Sequence, residues 1–324
     1  MRSSPSLIWT DMDLIPEAQE ELSQSGFLLS LNKEENLHGI EAADAVIAGS
    51  LLHGNAELFA RAPQLQVIAR SGIGFDRIDI SAATAAGVCA VNTPDAPTES
   101  TATFAITLML AVARKLTTGT RWLEEGRWAA GQTLTGFDLA GKTLGLAGCG
   151  RIGRRVAEIA AVLGMRIQAF DPHLDTFPTP VKRVAVWDDL LTSSDILSLH
   201  LPASPETRQL IGTAALARMR PGAILINTAR GSLVDEQALL TALNNNRLAG
   251  AGLDVWDPEP PSPNNPLFSH PRVVATPHMA AMTVEGRRRS HLSAVRQVCQ
   301  VLRGEQPPHL LNPSVWPNRR KRIT

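Results

Sequence analysis

The sequence predicts an α/β fold built from two doubly wound, Rossmann-like domains, one inserted into the other. Three observations carry that expectation. At 324 residues with 44% apolar content, the chain is too long for one ordinary core and apolar enough to bury two. Short apolar runs alternate with helical patterns along most of its length, the mark of βα units and a mainly parallel sheet. A glycine-rich turn at Gly148, Gly150 and Gly153 opens a second series of such units almost halfway along.

The first series has candidate strands at "LIWT", "GFLLSL", "DAVIAGS", "QVIARS" and "VCAVNTP", separated by helical segments "PEAQEELSQ", "NAELFARAP" and "DISAATAAG". It is a complete α/β layer, of the flavodoxin-like kind. A long helix from about Thr98 to Lys115 follows, then "TRWLEEGRWAAGQTL", which fits neither layer. The second series starts with "KTLGLAG" and continues through "RIQAF", "RVAVW", "DILSLHL", "GAILINTA", "GAGLDV" and "RVVATP". A last helix, about Val284 to Arg303, comes after that sheet is finished and must pack on the first domain. The expected division is therefore 1–97 with 288–324 for one domain and 98–287 for the inserted one.

Equal numbers of cationic and anionic side chains, 31 of each, give no basic surface for nucleic acid or an anionic membrane. The cation run Arg319 to Arg322 near the end reads as a solvated, frayed terminus, with a localisation or partner signal as the alternative. Cys89, Cys149 and Cys299 are far apart, which argues against a disulfide framework or a metal site and for a reducing compartment. Cys149, inside the glycine turn, reads as packing. Neither the start of the chain nor the apolar stretch 104–113 has the length of a signal peptide or a bilayer span. A cytoplasmic protein with no metal and no membrane or nucleic-acid partner is expected.

The turn "GLAGCGRIGRR" has the G-x-G-x-x-G spacing, with a strand before it and a helix after it whose Ile152, Val156, Ile159, Ala160 and Leu163 share a face. Glycines let the backbone approach a pyrophosphate, and the helix N-terminus supplies N–H groups and a positive dipole end. A second strand ends at Asp171, about twenty residues on, where a carboxylate accepts from ribose hydroxyls and repels a 2′-phosphate. The expected cofactor is NAD.

Ligands of open α/β sheets lie beyond the carboxyl ends of the strands. Arg230, Glu259 and His278 each follow one of the last three strands. Singly, they read as a surface ion pair, an exposed loop carboxylate and an ordinary loop histidine. Together they supply what hydride transfer to a 2-oxo acid needs: a cation for the carboxylate, an acid–base group, and a carboxylate to orient it.

In combination, "GLAGCGRIGRRVA", "LHLPASPETRQLIG", "LINTARGSLVDEQAL", "GLDVWDPEP" and "VVATPHMAAMTVE" resemble the D-isomer-specific 2-hydroxyacid dehydrogenases, of the glyoxylate/hydroxypyruvate reductase or phosphoglycerate dehydrogenase-like kind. The resemblance extends upstream to about residue 65. It implies a catalytic trio of Arg230, Glu259 and His278, with substrate also on the backbone of Ile73 and Gly74. It places the cofactor on Thr101, Arg151, Ile152, Asp171, Pro202, Thr207, Thr228 and Asp254 besides the three glycines, with Asp254 toward the nicotinamide amide. It identifies "RWLEEGRW" with a dimerisation arm, hence a homodimer, and makes the first domain a substrate domain that closes on hinges near residues 97 and 287. The implied reaction is NADH-dependent reduction of a small 2-oxo acid. Glutamate rather than glutamine at 259 disfavours formate, and no regulatory domain is expected beyond the fold. Phosphoglycerate dehydrogenase activity is the near alternative, with Arg70 meeting a phosphate or forming a structural ion pair. An NADH-sensing corepressor-like binding protein is the alternative from another class.

Overall fold

In a computed structural model, residues 5–33 and 36–321 are described. The chain runs β1 (Leu7–Thr10), α1 (Pro16–Gln24), β2 (Leu28–Leu31), β3 (Ala45–Ala48), α2 (Ala56–Arg61), β4 (Val67–Arg70), α3 (Ile80–Ala85) and β5 (Cys89–Val91). It then forms α4 (Thr98–Ala113), α5 (Leu116–Glu124), β6 (Thr143–Ala147), α6 (Arg151–Val162), β7 (Arg166–Phe170), β8 (Lys182–Arg183), α7 (Trp187–Ser193) and β9 (Ile196–Leu199). The remainder is α8 (Thr213–Arg218), β10 (Ala223–Asn227), α9 (Glu236–Asn244), β11 (Leu248–Leu253), β12 (Val273–Ala275) and α10 (Val284–Leu302). Two compact units result: residues 1–97 with 283–324, and 98–282.

The first unit is a five-stranded parallel sheet in the order β2-β1-β3-β4-β5. Successive side chains of a strand face opposite layers. Thus Ile8, Ile47 and Val67 join α1 and α10 on one face, while Trp9, Val46 and Ile68 join Leu58, Phe59 and Ala83 of α2 and α3 on the other. Side chains such as Trp9, Phe59 and Ile68 are fully buried, each contributing about 1.5–3 kcal/mol relative to exposure. Asn55, Asp79 and Thr283 cap α2, α3 and α10 through their side-chain oxygens.

The cap fixes where the chain returns to this unit. Thr283 accepts from Gly286 N–H at 2.9 Å and α10 starts at the next residue, so the division falls at 282/283 rather than at 287/288. The tail also differs from expectation. Leu311 N–H donates to Ala90 C=O, Asn312 bonds Ala90 N–H and Val88 C=O, and this covers the open edge of β5. Arg319 stacks on Trp316 at 3.7 Å, and Arg320 donates to Gly87 and Ala62 carbonyls. Two members of the cation run are thus tied down, because guanidinium groups satisfy carbonyls and rings that a frayed end leaves bare. Arg322 lies outside the described residues.

The second unit is a seven-stranded parallel sheet, β12-β11-β10-β9-β6-β7-β8, with α4 and α6 on one face and α7, α8 and α9 on the other. Strand order reverses between β6 and β9, the switch point at which such sheets bind dinucleotides. The "RVAVW" segment is a strand only at its first residue. Val186 is extended, and Trp187 starts α7 with its ring edge-on to Phe170 at 5.7 Å. At an outer edge, ring packing outweighs the β preference of the apolar run. Among the described residues, no helix is long and apolar enough to cross a membrane.

Candidate active site

The glycine turn after β6 has the shape a pyrophosphate needs. Gly148 has φ +94°, and a Cβ there would lie 2.7 Å from the His200 carbonyl oxygen. A Cβ at Gly153 would lie 2.5 Å from the Gly148 oxygen. Gly150, by contrast, faces open space and starts α6 with no side chain capping it. Packing therefore demands the first and third glycines, and the second leaves room beside the N–H groups of Arg151 and Ile152.

Asp171, at the end of β7, accepts from Cys149 N–H at 2.9 Å and His173 N–H at 3.0 Å, which fixes its carboxylate beside the turn. Oxygens of a carboxylate have about four lone-pair positions, so ribose hydroxyls retain acceptors. Thr228, just past β10, has a buried hydroxyl with no partner among the described residues. An orphaned hydroxyl here fits a ligand that fills the crevice. Thr101 is buried in α4. Thr207 donates to Pro202 C=O at 2.9 Å, so these two residues brace one loop after β9. Cys149 is buried, and that burial pushes its thiol up, in keeping with packing.

The last three strands, β10, β11 and β12, are neighbours, and this brings Arg230, Glu259 and His278 together. His278 Nδ1 and Glu259 Oε2 are 2.8 Å apart. Glu259 Oε1 accepts from Trp256 N–H at 3.1 Å. Burial pushes the Glu259 carboxyl up, but the hydrogen bond and charge of His278, the Trp256 N–H and the Arg230 charge together hold it below the usual range. The carboxylate is thus ionised beside an imidazole whose side chain is 42% exposed, which leaves the Nε2 edge to exchange a proton.

Four residues that build this arrangement were not picked out from sequence for that role. Asn227 clamps the Arg230 turn, donating to Arg230 C=O at 2.8 Å and accepting from Ala229 N–H at 3.0 Å. Gly231 lets that turn touch the Glu259 loop, since a Cβ there would lie 2.0 Å from the Trp256 carbonyl carbon. Trp256 itself donates its indole N–H to Thr276 C=O at 3.0 Å. Asp254 holds the His278 loop: its carbonyl takes His278 N–H at 2.8 Å, Oδ1 takes the Thr276 hydroxyl and Met279 N–H, and Oδ2 takes Ala280 N–H at 2.8 Å. That anchorage keeps His278 at φ +54°, a left-handed conformation that costs about 1–3 kcal/mol in a non-glycine residue. A strand-terminal Asn or Asp is the available sequence signal for such clamps.

In the first unit, Ile73 and Gly74 lie in the loop after β4. Arg70, at the end of that strand, donates to Ser71 C=O at 2.7 Å and Ala48 C=O at 3.4 Å. Burial raises the Asp11 carboxyl, which accepts Gly49 N–H at 2.6 Å, with the Arg70 charge close enough to oppose that rise.

Residues 106–280 match the family described as D-isomer specific 2-hydroxyacid dehydrogenase, NAD binding domain. A D-3-phosphoglycerate dehydrogenase of Methanocaldococcus jannaschii is 38% identical over 90% of this chain, which spans 56% of that protein. The chain thus spans about half the length of the first such relatives. A glyoxylate reductase of Korarchaeum cryptofilum is 37% identical, over 93% of this chain and 94% of its own. Among solved structures, a glyoxylate reductase from Paecilomyes thermophila superposes with a TM-score of 0.85 at 30% identity, covering 96% of this chain and 99% of that one. The chain belongs to the D-isomer specific 2-hydroxyacid dehydrogenase family.

Proposed function

We propose that this protein is an NAD-dependent D-2-hydroxyacid dehydrogenase that reduces a short 2-oxo acid of the glyoxylate or hydroxypyruvate type. The observation that carries the reading is the His278–Glu259 contact of 2.8 Å beside the Arg230 charge. Arg230 binds the substrate carboxylate or keto oxygen through its planar fork of donors. His278 gives a proton from Nε2 to the forming alkoxide, and Glu259 fixes the ring and stabilises its protonated form. The N–H groups of Ile73 and Gly74 take the substrate carboxylate. Bound NADH would supply the hydride that reduces C2. Asp171, Thr228 and the glycine turn support NAD binding, with NAD preferred over NADP because the Asp171 carboxylate repels a 2′-phosphate.

Arg70 donates from Nη1 to the Ser71 and Ala48 carbonyls, which supports a structural part for it in the loop after β4. The helix α5 has no buried residue, and Leu116, Leu123 and Trp128 of the segment around it are 60%, 60% and 76% exposed; we assign this arm to a homodimer contact. Three free, buried cysteines suit a cytoplasmic setting.

The test follows NADH absorbance with glyoxylate, hydroxypyruvate, pyruvate, a branched 2-oxo acid and 3-phosphohydroxypyruvate, and repeats the best with NADPH. Turnover of an unphosphorylated acid is expected, and its loss in His278→Ala with NADH binding retained. A ranking led by 3-phosphohydroxypyruvate would favour the phosphoglycerate dehydrogenase reading. Full turnover in His278→Ala would refute the assigned acid.

A further inference from the structure

We propose that Asn92 is a positioning residue that aims the Ile73 and Gly74 N–H groups at the substrate carboxylate. The proposal rests on the reading above, in which those groups bind that carboxylate. Two hydrogen bonds from the end of β5 hold the loop after β4. Thr93 N–H donates to Gly72 C=O at 3.0 Å, and Asn92 Nδ2 donates to Ile73 C=O at 2.8 Å. In a trans peptide the carbonyl and the following N–H point in opposite directions. The Gly72 carbonyl shares its peptide with the Ile73 N–H, and the Ile73 carbonyl shares its peptide with the Gly74 N–H. With both carbonyls drawn toward β5, both N–H groups project to the opposite side of the loop. Neither donates a hydrogen bond among the described residues. Adjacent N–H groups turned to one side form a concavity that suits an anion.

The holding residue is itself rigid. Asn92 is 5% exposed, and its carbonyl accepts from Gln297 Nε2 at 2.8 Å. Gln297 is 2% exposed and accepts His309 N–H at 3.1 Å. Ser290 of α10 lies 2.8 Å from the Ser71 hydroxyl and 3.0 Å from that of Thr93, which braces the loop and the strand end together. The side-chain amide of Asn92 is therefore a fixed donor. Its role is to orient a peptide that the substrate then reads.

Aspartate at 92 keeps the shape and removes the donor, so the Ile73 carbonyl meets a like charge and the peptide turns away. Asn92→Asp is expected to raise KM for glyoxylate tenfold or more, with kcat within about threefold and NADH affinity unchanged. That split is the sign of lost uniform binding. Asn92→Ala leaves the carbonyl without a repelling charge and should show a smaller rise. Unchanged KM in both variants would overturn the proposal, as would kcat and NADH affinity falling together at constant KM, which is the pattern of a merely structural role. If the unmodified protein oxidises NADH with no 2-oxo acid, the functional reading fails instead.

A second measurement needs no variant at position 92. Carbonyl-13C isoleucine with 15N glycine selects three Ile–Gly pairs, at 73–74, 152–153 and 211–212. Oxamate added with NADH should shift the Gly74 amide proton downfield, with Ile73→Val identifying the signal by its disappearance. An unmoved Gly74 resonance at saturating oxamate would overturn the proposal whatever the variants do.

Discussion

Replacing His291 by asparagine should remove the loss of stability on acidification that this buried imidazole causes in the first unit. His291 is 2% exposed, and its Nδ1 accepts Ile15 N–H at 3.1 Å. Burial, aided by the Arg287 charge, pushes its pKa from 6.5 down to about 4. The neutral ring is therefore the folded form, and the unfolded chain binds the proton first as pH falls. Stability from this group is complete above pH 6.5, is lost as pH drops from 6.5 toward 4, and changes no further below that. With those two values, the loss at pH 5 relative to pH 8 is about 2 kcal/mol. For a urea slope of about 2 kcal/mol/M, the midpoint should fall by about 1 M. Asparagine places an acceptor near the Nδ1 position and does not titrate. Urea unfolding at pH 8 and pH 5, followed by tryptophan fluorescence with Trp9 fully buried, should show a drop smaller by about that amount in His291→Asn. An equal drop in both proteins would refute the assignment to this histidine.

Two further substitutions probe the candidate site. Glu259→Gln keeps the shape but removes the charge 2.8 Å from His278. With the ring no longer held by a carboxylate, kcat should fall by about tenfold or more, and an unchanged kcat would argue against the pairing. Gly231→Ala forces a Cβ into the Trp256 backbone. It should cost about 1–3 kcal/mol in unfolding free energy and, by displacing Arg230 from Glu259, lower kcat by up to about 10²-fold. Wild-type kcat in that variant would show that Arg230 tolerates the shift.

The readability of this chain depended on whether a residue's task was local. Asp79, Asp235 and Thr283 cap helices that begin at the next residue, and β1, β3, β4 and β5 are short apolar runs buried on both faces of a parallel sheet, so a window of a few residues carries the information. The glycine turn is equally local, since its three positions differ in what a Cβ would meet. The trio of Arg230, Glu259 and His278 was legible because each follows a strand, and the parallel order of β10, β11 and β12 does the rest. Long-range tasks were not legible. Nothing near Arg320 in sequence reveals that its partners are Gly87 and Ala62, and nothing in "RVAVW" reveals Phe170 waiting for Trp187.

Asp254 shows why such a site needs one residue that is committed to structure. The His278 loop has to present an imidazole at a set place while its backbone sits at positive φ, which the chain left to itself disfavours. Asp254 answers this with its carbonyl and both carboxylate oxygens, and it is fully buried at the end of β11. β11 lies between β10 and β12, so the same strand stands between the Arg230 turn and the His278 loop. Charge-assisted bonds from N–H groups to a buried carboxylate are worth about 1.5–3 kcal/mol each. Two of them, at Met279 and Ala280, exceed the cost of one strained residue. The position of the His278 imidazole is then set by the buried end of β11 and not by the loop that carries it.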